Sequence, residues 1–162
     1  MSERTYTWED PFAFLEEAAG LSGLEAMQGI IDGSLSQPPI GATLGFRLVE
    51  VEHGRAVFEG VPAPFHYNPI GTVHAGFAAT LLDSAMGCAL VSTLPAGARW
   101  TTLELKANFT RAMTADTGTV RCTGTIVHPG RRVATAEARL EDEGGRLLAH
   151  GTSTILMLDA SG

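Results

Sequence analysis

The sequence is poor in basic charge, in cysteine and in long hydrophobic runs. Its 11 Lys and Arg against 18 Asp and Glu give a formal net charge of −7, which argues against nucleic acid as a partner because phosphates need a basic face. The two cysteines, Cys88 and Cys122, lack metal-ligand spacing and are interpreted as structural thiols. No apolar run reaches the ~20 residues of a membrane span, and the N-terminus lacks an export signal. We therefore expect a cytoplasmic protein with no membrane partner.

Residues 1–40 are predicted to form a helical arm. Asp10 can begin a first short helix that Gly20 ends. Ser22 and Glu25 have the spacing of a capping box for a second helix, whose apolar stripe continues to Gly33. A loop is predicted at residues 37–39. The arm shows no chemical motif, and we interpret it as a cover on the body of the protein or on a neighbouring subunit.

Residues 41–162 are predicted to form an α+β domain. Apolar residues alternate from Thr43, with a hairpin turn at His53 and Gly54. The apolar segment from Phe77 to Val91 is too long for one strand and predicts a buried helix. Four further strands follow, with tight turns at residues 128–130 and 143–145. One buried helix among antiparallel strands predicts a curved sheet wrapped around that helix.

Asp83 is the chemically most informative residue of this helix. It is the only charged side chain between His74 and Arg99, and burying an unpaired carboxylate costs several kcal/mol. Its neighbours one helical turn away are mostly small, which leaves room for a substrate. The alternative is a structural carboxylate that accepts hydrogen bonds from a neighbouring strand or faces a small water pocket.

The loop and helix start before Asp83 supply matching polar groups. A helix that begins near His74, Ala75 and Gly76 presents free N–H groups and the positive end of its dipole, which stabilise an oxyanion. With Asn68 to position a water or the acid, this set fits the hydrolysis of an activated acyl group. For Asn68 the alternative is ordinary Asn-Pro turn chemistry. For His74 the alternative is a structural imidazole.

The fragment HYNPIGTVHAGFAATLLDSAMG, residues 66–87, resembles the hotdog-fold acyl-CoA thioesterases of the phenylacetate-pathway type, close to the 4-hydroxybenzoyl-CoA thioesterase group. The resemblance covers about residues 41–158. It implies the hotdog fold, and a homodimer or homotetramer with the active site between subunits. Asp83 of one chain would act as nucleophile or general base, facing Asn68, His74 and the backbone N–H of Ala75 from the other chain.

Two details of the resemblance concern individual positions. The family's hydroxyl residue beyond the helix falls at Thr101, although Thr102 or Ser92 could serve instead. The family usually has His-Gly-Gly where this chain has Ala75 between His74 and Gly76. The added methyl group could disfavour a positive φ or narrow the acyl channel.

Four basic residues are candidates for binding the phosphates of CoA, namely Arg131, Arg132, Arg111 and Lys106. The alternative is that these four residues are solvated surface charges. No motif indicates a metal, flavin or nicotinamide, so CoA is expected only as part of the substrate.

Together these features predict hydrolysis of an aryl- or medium-chain acyl-CoA to the free acid and CoA. A hotdog hydratase or dehydratase is one alternative, but it would usually carry a His on the helix, and none lies between Asp83 and Arg99. A non-catalytic acyl-CoA-binding protein is the other, and it would not need Asp83.

Overall fold

Six antiparallel strands wrap around one long helix in the computed structural model, which describes residues 1–158. The strand order in the sheet is β1-β2-β4-β5-β6-β3. This architecture confirms the predicted α+β class and the curved sheet. The helices are α1 (Ala13–Glu17), α2 (Gly23–Asp32), α3 (Pro39–Leu44) and α4 (Ala75–Val91), and the strands are β1 (Phe46–Glu52), β2 (Arg55–Gly60), β3 (Arg99–Phe109), β4 (Val120–His128), β5 (Val133–Asp142) and β6 (Leu147–Leu158).

Helix α4 lies directly against the sheet and forms the centre of the core. Leu81, Leu82 and Met86 are completely buried, as expected of a helix that is apolar on most sides. A Cβ atom on Gly124 of β4 would lie 2.3 Å from the backbone oxygen of Ala85, so the helix and the strand approach as closely as their backbones allow. None of the helices within residues 1–158 has the length and apolarity to span a membrane.

The predicted caps of α2 are present, whereas both predicted ends of the first helix are shifted: α1 has Ala18 and not Gly20 as its C-cap. Ser22 and Glu25 form the complete capping box of α2, which ends at Gly33 with a φ of +78°. Asp10 acts just before α1, where its carboxylate accepts a hydrogen bond of 2.9 Å from the N–H of Phe12. Helix α1 begins at Ala13 with Phe12 as its N-cap, two residues later than an N-cap at Asp10 predicts.

Helix α3 was not predicted, and the strand pattern expected from Thr43 was wrong at its start. Pro39 occupies the first turn of this helix, where a missing N–H costs nothing. Gly45, with a φ of +71°, ends the helix and leads into β1. Six residues are too few to display a helical period, so the Pro pair indicated a loop.

The arm is packed onto the domain. Ala26, Met27 and Ile30 of α2 are buried in the main core, and α2 lies against β1 and α4. The division of the chain at residue 40 stays a prediction.

Candidate active site

Asp83 lies in the middle of α4 and in the wall of a cavity of about 670 Å³. The Thr102 hydroxyl of β3 donates a hydrogen bond of 3.0 Å to its Oδ1 atom, and within residues 1–158 its carboxylate has no other hydrogen-bond partner. The side chain is half-buried. Asp83 is thus held by a neighbouring strand on one side and faces a large cleft on the other.

The cavity is lined by residues of α4 and of both edge strands of the sheet, β1 and β3. Its wall contains apolar side chains of β1 and β2, namely Phe46, Leu48 and Phe58. On α4, Ser84 lines the cavity next to Asp83. The lining also includes Arg47 and Glu59, which form an ion pair of 3.8 Å. Such a cleft, mostly apolar with a few polar groups, suits a ligand that has an apolar body and polar ends.

Trp100 of β3 contributes to the cavity wall next to Gly87, which lies one helical turn beyond Asp83. Its indole ring packs on Gly87, where a Cβ atom would lie 2.9 Å from the ring edge. Both residues line the cavity. Because any side chain at position 87 would displace the ring, Gly87 allows Trp100 its place in the cavity wall.

The thiol of Cys88 also lines the cavity. Burial, and to a smaller extent the negative charge of Asp83, raises its pKa to about 12. Burial raises the pKa of the Cys122 thiol as well. Since the thiolate is the nucleophilic form, neither cysteine is suited to attack a substrate, in agreement with their interpretation as structural thiols.

His74 forms the N-cap of α4. Its Nδ1 atom accepts a hydrogen bond of 2.8 Å from the N–H of Gly76, so the ring proton lies on Nε2 when the imidazole is neutral. A Cβ atom on Gly76 would lie 2.8 Å from that Nδ1 atom, which explains the glycine. The N–H of Ala75 begins the helix and has no intrahelical acceptor. Of the two predicted backbone donors, Ala75 is therefore the one left for a ligand.

Ala75 in place of the family's glycine causes no backbone strain. Every residue with positive φ within residues 1–158 is a glycine, so Ala75 has an ordinary negative φ. Its side chain lies on the exposed start of the helix. The first of the two effects expected from the methyl group is thus absent.

Asn68 organises the loop that leads into α4. Its Oδ1 atom accepts hydrogen bonds from the N–H groups of Ile70 and Thr72, at 3.1 and 3.2 Å. Its amide nitrogen donates to the Thr72 hydroxyl at 2.9 Å. An amide nitrogen has two N–H groups, and the second makes no hydrogen bond within residues 1–158. The Asn68 side chain thus stabilises the turn and keeps one N–H group available as a donor.

The structure does not bring Asp83 together with the start of its own helix. Asp83 follows Ala75 by eight residues, which at 1.5 Å per residue is about 12 Å along the axis. One thioester carbonyl cannot contact both groups of the same chain. The joint role of Asp83 with Asn68, His74, Ala75 and Gly76 stays a prediction, and it requires a second copy of the chain.

The three candidate hydroxyl groups lie in different places. Thr102 is the one that contacts Asp83, whereas Thr101 is exposed. The hydroxyl of Ser92 is buried at the end of α4, where it donates to the backbone oxygen of Ala89 and accepts from the N–H of Gly54, both at 2.8 Å. Within one chain, Thr102 is therefore the hydroxyl that holds the carboxylate.

The predicted phosphate-binding residues lie on the surface, and none of them lines the large cavity. Arg131 and Arg132 are exposed in the turn between β4 and β5, and Lys106 is exposed on β3. Arg111 donates a hydrogen bond of 2.9 Å to the backbone oxygen of Leu147. Their role in binding CoA stays a prediction.

Sequence reasoning missed two parts of the cavity. One is Trp100, whose ring packs on Gly87. The available signal was this glycine, which lies one helical turn after Asp83. The other is the contribution of the arm, which lines the cavity through residues such as Ile30, Pro38 and Ile40. The apolar stripe of α2 indicated burial but not this location.

Comparison with known proteins places the chain in a family. Residues 70–149 match the thioesterase superfamily. The chain is 30% identical to a thioesterase family protein from Silicibacter pomeroyi, over 82% of this chain and 98% of that one, with a TM-score of 0.71. It is 30% identical to a mutant form of the phenylacetic acid degradation protein PaaI from Thermus thermophilus, over 74% and 99% of the chains, with a TM-score of 0.67. It is 27% identical to a 1,4-dihydroxy-2-naphthoyl-CoA hydrolase from Listeria monocytogenes, over 70% of this chain and 90% of the relative.

These likenesses, with a carboxylate in an apolar cleft, define an enzyme of the thioester hydrolase class with the hotdog fold. The chain belongs to the thioesterase superfamily. The resemblance drawn from residues 66–87 is therefore confirmed, and acyl-CoA thioester hydrolysis is the activity that this membership supports.

Proposed function

We propose that the protein hydrolyses aryl- or medium-chain acyl-CoA thioesters to the free acid and CoA, with Asp83 as nucleophile or general base. The observation that carries this proposal is the carboxylate of Asp83, which is held at one oxygen by Thr102 and faces a largely apolar cavity of about 670 Å³. The cavity would receive the acyl group, and the thioester carbon would lie beside the carboxylate. The reaction uses no metal or organic cofactor.

Two routes share this geometry. As a nucleophile, Asp83 attacks the thioester carbon, the C–S bond breaks, and CoA leaves as the thiolate; water then hydrolyses the mixed anhydride. As a general base, Asp83 takes a proton from water while the oxygen attacks the same carbon, and the proton passes to the departing sulfur. Both routes place negative charge on the carbonyl oxygen, which a backbone donor such as the N–H of Ala75 stabilises.

The donor would come from a second copy of the chain. Asp83 and the Ala75 N–H of one chain are about 12 Å apart along the helix, so a complete site needs the helix start of another subunit. Strand β3 lies at an edge of the sheet and exposes 57% of Leu103 and 49% of Phe109. We infer a homodimer or a homotetramer in which Asn68, His74 and Ala75 of one subunit face Asp83 of its partner.

Release of free CoA from phenylacetyl-CoA and hexanoyl-CoA, followed with a thiol reagent, tests the catalytic role. Asp83→Asn and Asp83→Ala should lower kcat by about a hundredfold or more, the range typical of a general acid or base. Asp116→Asn, which changes an exposed aspartate outside the cavity, is the matched control and should keep wild-type activity. Binding of acyl-CoA by the wild type without turnover would instead favour a binding protein.

Mixing inactive variants tests the shared site. A subunit with Asp83→Asn keeps its own helix start, and a subunit with Asn68→Ala keeps its Asp83. If sites form between subunits, co-refolded mixtures should regain part of the activity, because each mixed dimer contains one intact site. Mixtures no more active than their components, or a fully active monomer in light scattering, would contradict the arrangement.

A further inference from the structure

One part of the cavity wall is built by residues that precede β1 in the chain. Residues 37–42, here called the wall segment, lie between α2 and β1 and line the cavity through Gln37, Pro38 and Ile40. The side chain of Ile40 is 46% exposed, so part of its apolar surface is free to contact a ligand in the cavity. Part of the apolar lining thus comes from outside residues 70–149, the portion that matches the superfamily.

The first residues of the chain hold the wall segment in place. The guanidinium of Arg4 donates two hydrogen bonds to backbone oxygens at the end of α3, to Thr43 at 2.7 Å and to Ala42 at 2.8 Å. The same group stacks on the ring of Phe65, 3.9 Å from its centroid. At the other end, the carboxylate of Glu9 accepts a hydrogen bond of 2.6 Å from the N–H of Gln37. The wall segment is therefore tied at both ends by side chains that do not line the cavity.

Trp100 forms a second part of the cavity boundary. Its ring packs on Gly87, one helical turn after Asp83. The space between these two boundaries is large: an engineered apolar cavity of about 150 Å³ already binds benzene, and this one is about 670 Å³. A single aromatic ring would leave much of the apolar wall uncovered.

We propose that the wall segment, through Ile40, sets the largest acyl group that the enzyme accepts, and that this group is apolar and bulkier than a single ring. Arg4 and Glu9 act as positioning residues because they fix the segment without touching the acyl group. This inference rests on the proposed function, since it assigns the cavity to the acyl part of the substrate.

Specificity constants for acetyl-, phenylacetyl-, decanoyl- and 2-naphthoyl-CoA test the proposal in four variants. Ile40→Trp should lower kcat/KM for the two bulky substrates, decanoyl- and 2-naphthoyl-CoA, by about tenfold or more, in line with the effect of small size changes in apolar pockets. The kcat/KM for acetyl-CoA should stay within about twofold of the wild-type value. Ile40→Ala should shift the preference towards the bulky substrates. Arg4→Gln should weaken discrimination between large and small acyl groups. Leu15→Ala, an exposed arm residue outside the cavity, is the control and should change none of these ratios.

A binding measurement separates this proposal from the proposed function. Trp8→Phe leaves Trp100 as the only tryptophan of the two in the chain, so its fluorescence reports occupancy of the cavity by decanoic acid or 2-naphthoic acid. Tighter binding of these acids than of acetic acid, weakened by Ile40→Trp, would support the inference even if no thioester were hydrolysed. Normal hydrolysis with bulky-acid binding and kcat/KM ratios unaffected by Ile40→Trp and Ile40→Ala would overturn it and leave the proposed function intact.

Discussion

Replacing Thr102 with valine removes one hydroxyl from the site and keeps the shape of the side chain. The hydroxyl donates to Asp83 across 3.0 Å, and a hydrogen bond to a charged acceptor contributes about 1.5 to 3 kcal/mol. Asp83 and Thr102 are both half-buried, so water can replace part of this interaction and the lower end applies. If the bond is needed to orient the carboxylate in the transition state, the loss corresponds to about a tenfold decrease in kcat.

The assay is thiol release from an acyl-CoA under saturating and limiting substrate, so that kcat and KM are separated. Thr102→Val should lower kcat with little change in KM, because Thr102 contacts Asp83 and does not line the cavity. Thr102→Ser restores the donor and should recover most of the lost rate. Thr152→Val, an exposed threonine on β6, is the control for the general effect of this substitution on a strand.

Thr101→Val decides between the two neighbouring hydroxyl groups. The resemblance assigns the catalytic hydroxyl to Thr101, whereas the geometry within one chain favours Thr102. A larger loss of kcat in Thr101→Val than in Thr102→Val would refute the reasoning from the contact with Asp83. The same holds if Thr102→Ser is no more active than Thr102→Val.

Three further predictions concern the stability and reactivity of the fold. Gly124→Ala should lower Tm by several degrees, because the new Cβ would lie 2.3 Å from the backbone oxygen of Ala85, and overpacking costs about 1 to 3 kcal/mol. Burial lowers the pKa of His66 from 6.5, so its contribution to stability is complete above pH 6.5 and falls as the pH decreases towards the folded-state pKa. In urea unfolding across this pH range, the free energy of unfolding should therefore decrease more in the wild type than in His66→Gln. Cys88, with its pKa raised to about 12, should react with iodoacetamide at pH 8 far more slowly than a free thiol such as glutathione.

The central helix and its carboxylate could be predicted because each leaves a signal in the chain itself. An apolar run from Phe77 to Val91 exceeds the length of a strand, and Asp83 stands out as its single charge. The hairpin turns at residues 53–54, 128–130 and 143–145 follow from local residue preferences in the same way. Helix α3 escaped prediction since a six-residue helix that begins with proline resembles a loop.

The contact between Thr102 and Asp83 depends on how β3 is aligned against α4. The register of β3 against β6 shifts between Thr102 and Glu104, and such an irregularity decides which of two adjacent threonines faces the helix. Because Thr101 and Thr102 have the same side chain, the sequence of β3 does not indicate which of them faces the helix.

The arm illustrates a more general limit of sequence patterns. The apolar stripe of α2 correctly indicates that one face of this helix is buried, and Ala26 and Met27 are in the core. A hydrophobic period predicts that one face of a helix is buried, but it does not indicate which group covers that face. Ile30 belongs to the same stripe and to the same core, and it also lines the cavity that contains Asp83, so a residue that the sequence predicts as core is a candidate for substrate contact. The two roles differ only in whether a side chain of this protein or the acyl group of a substrate fills the adjoining space.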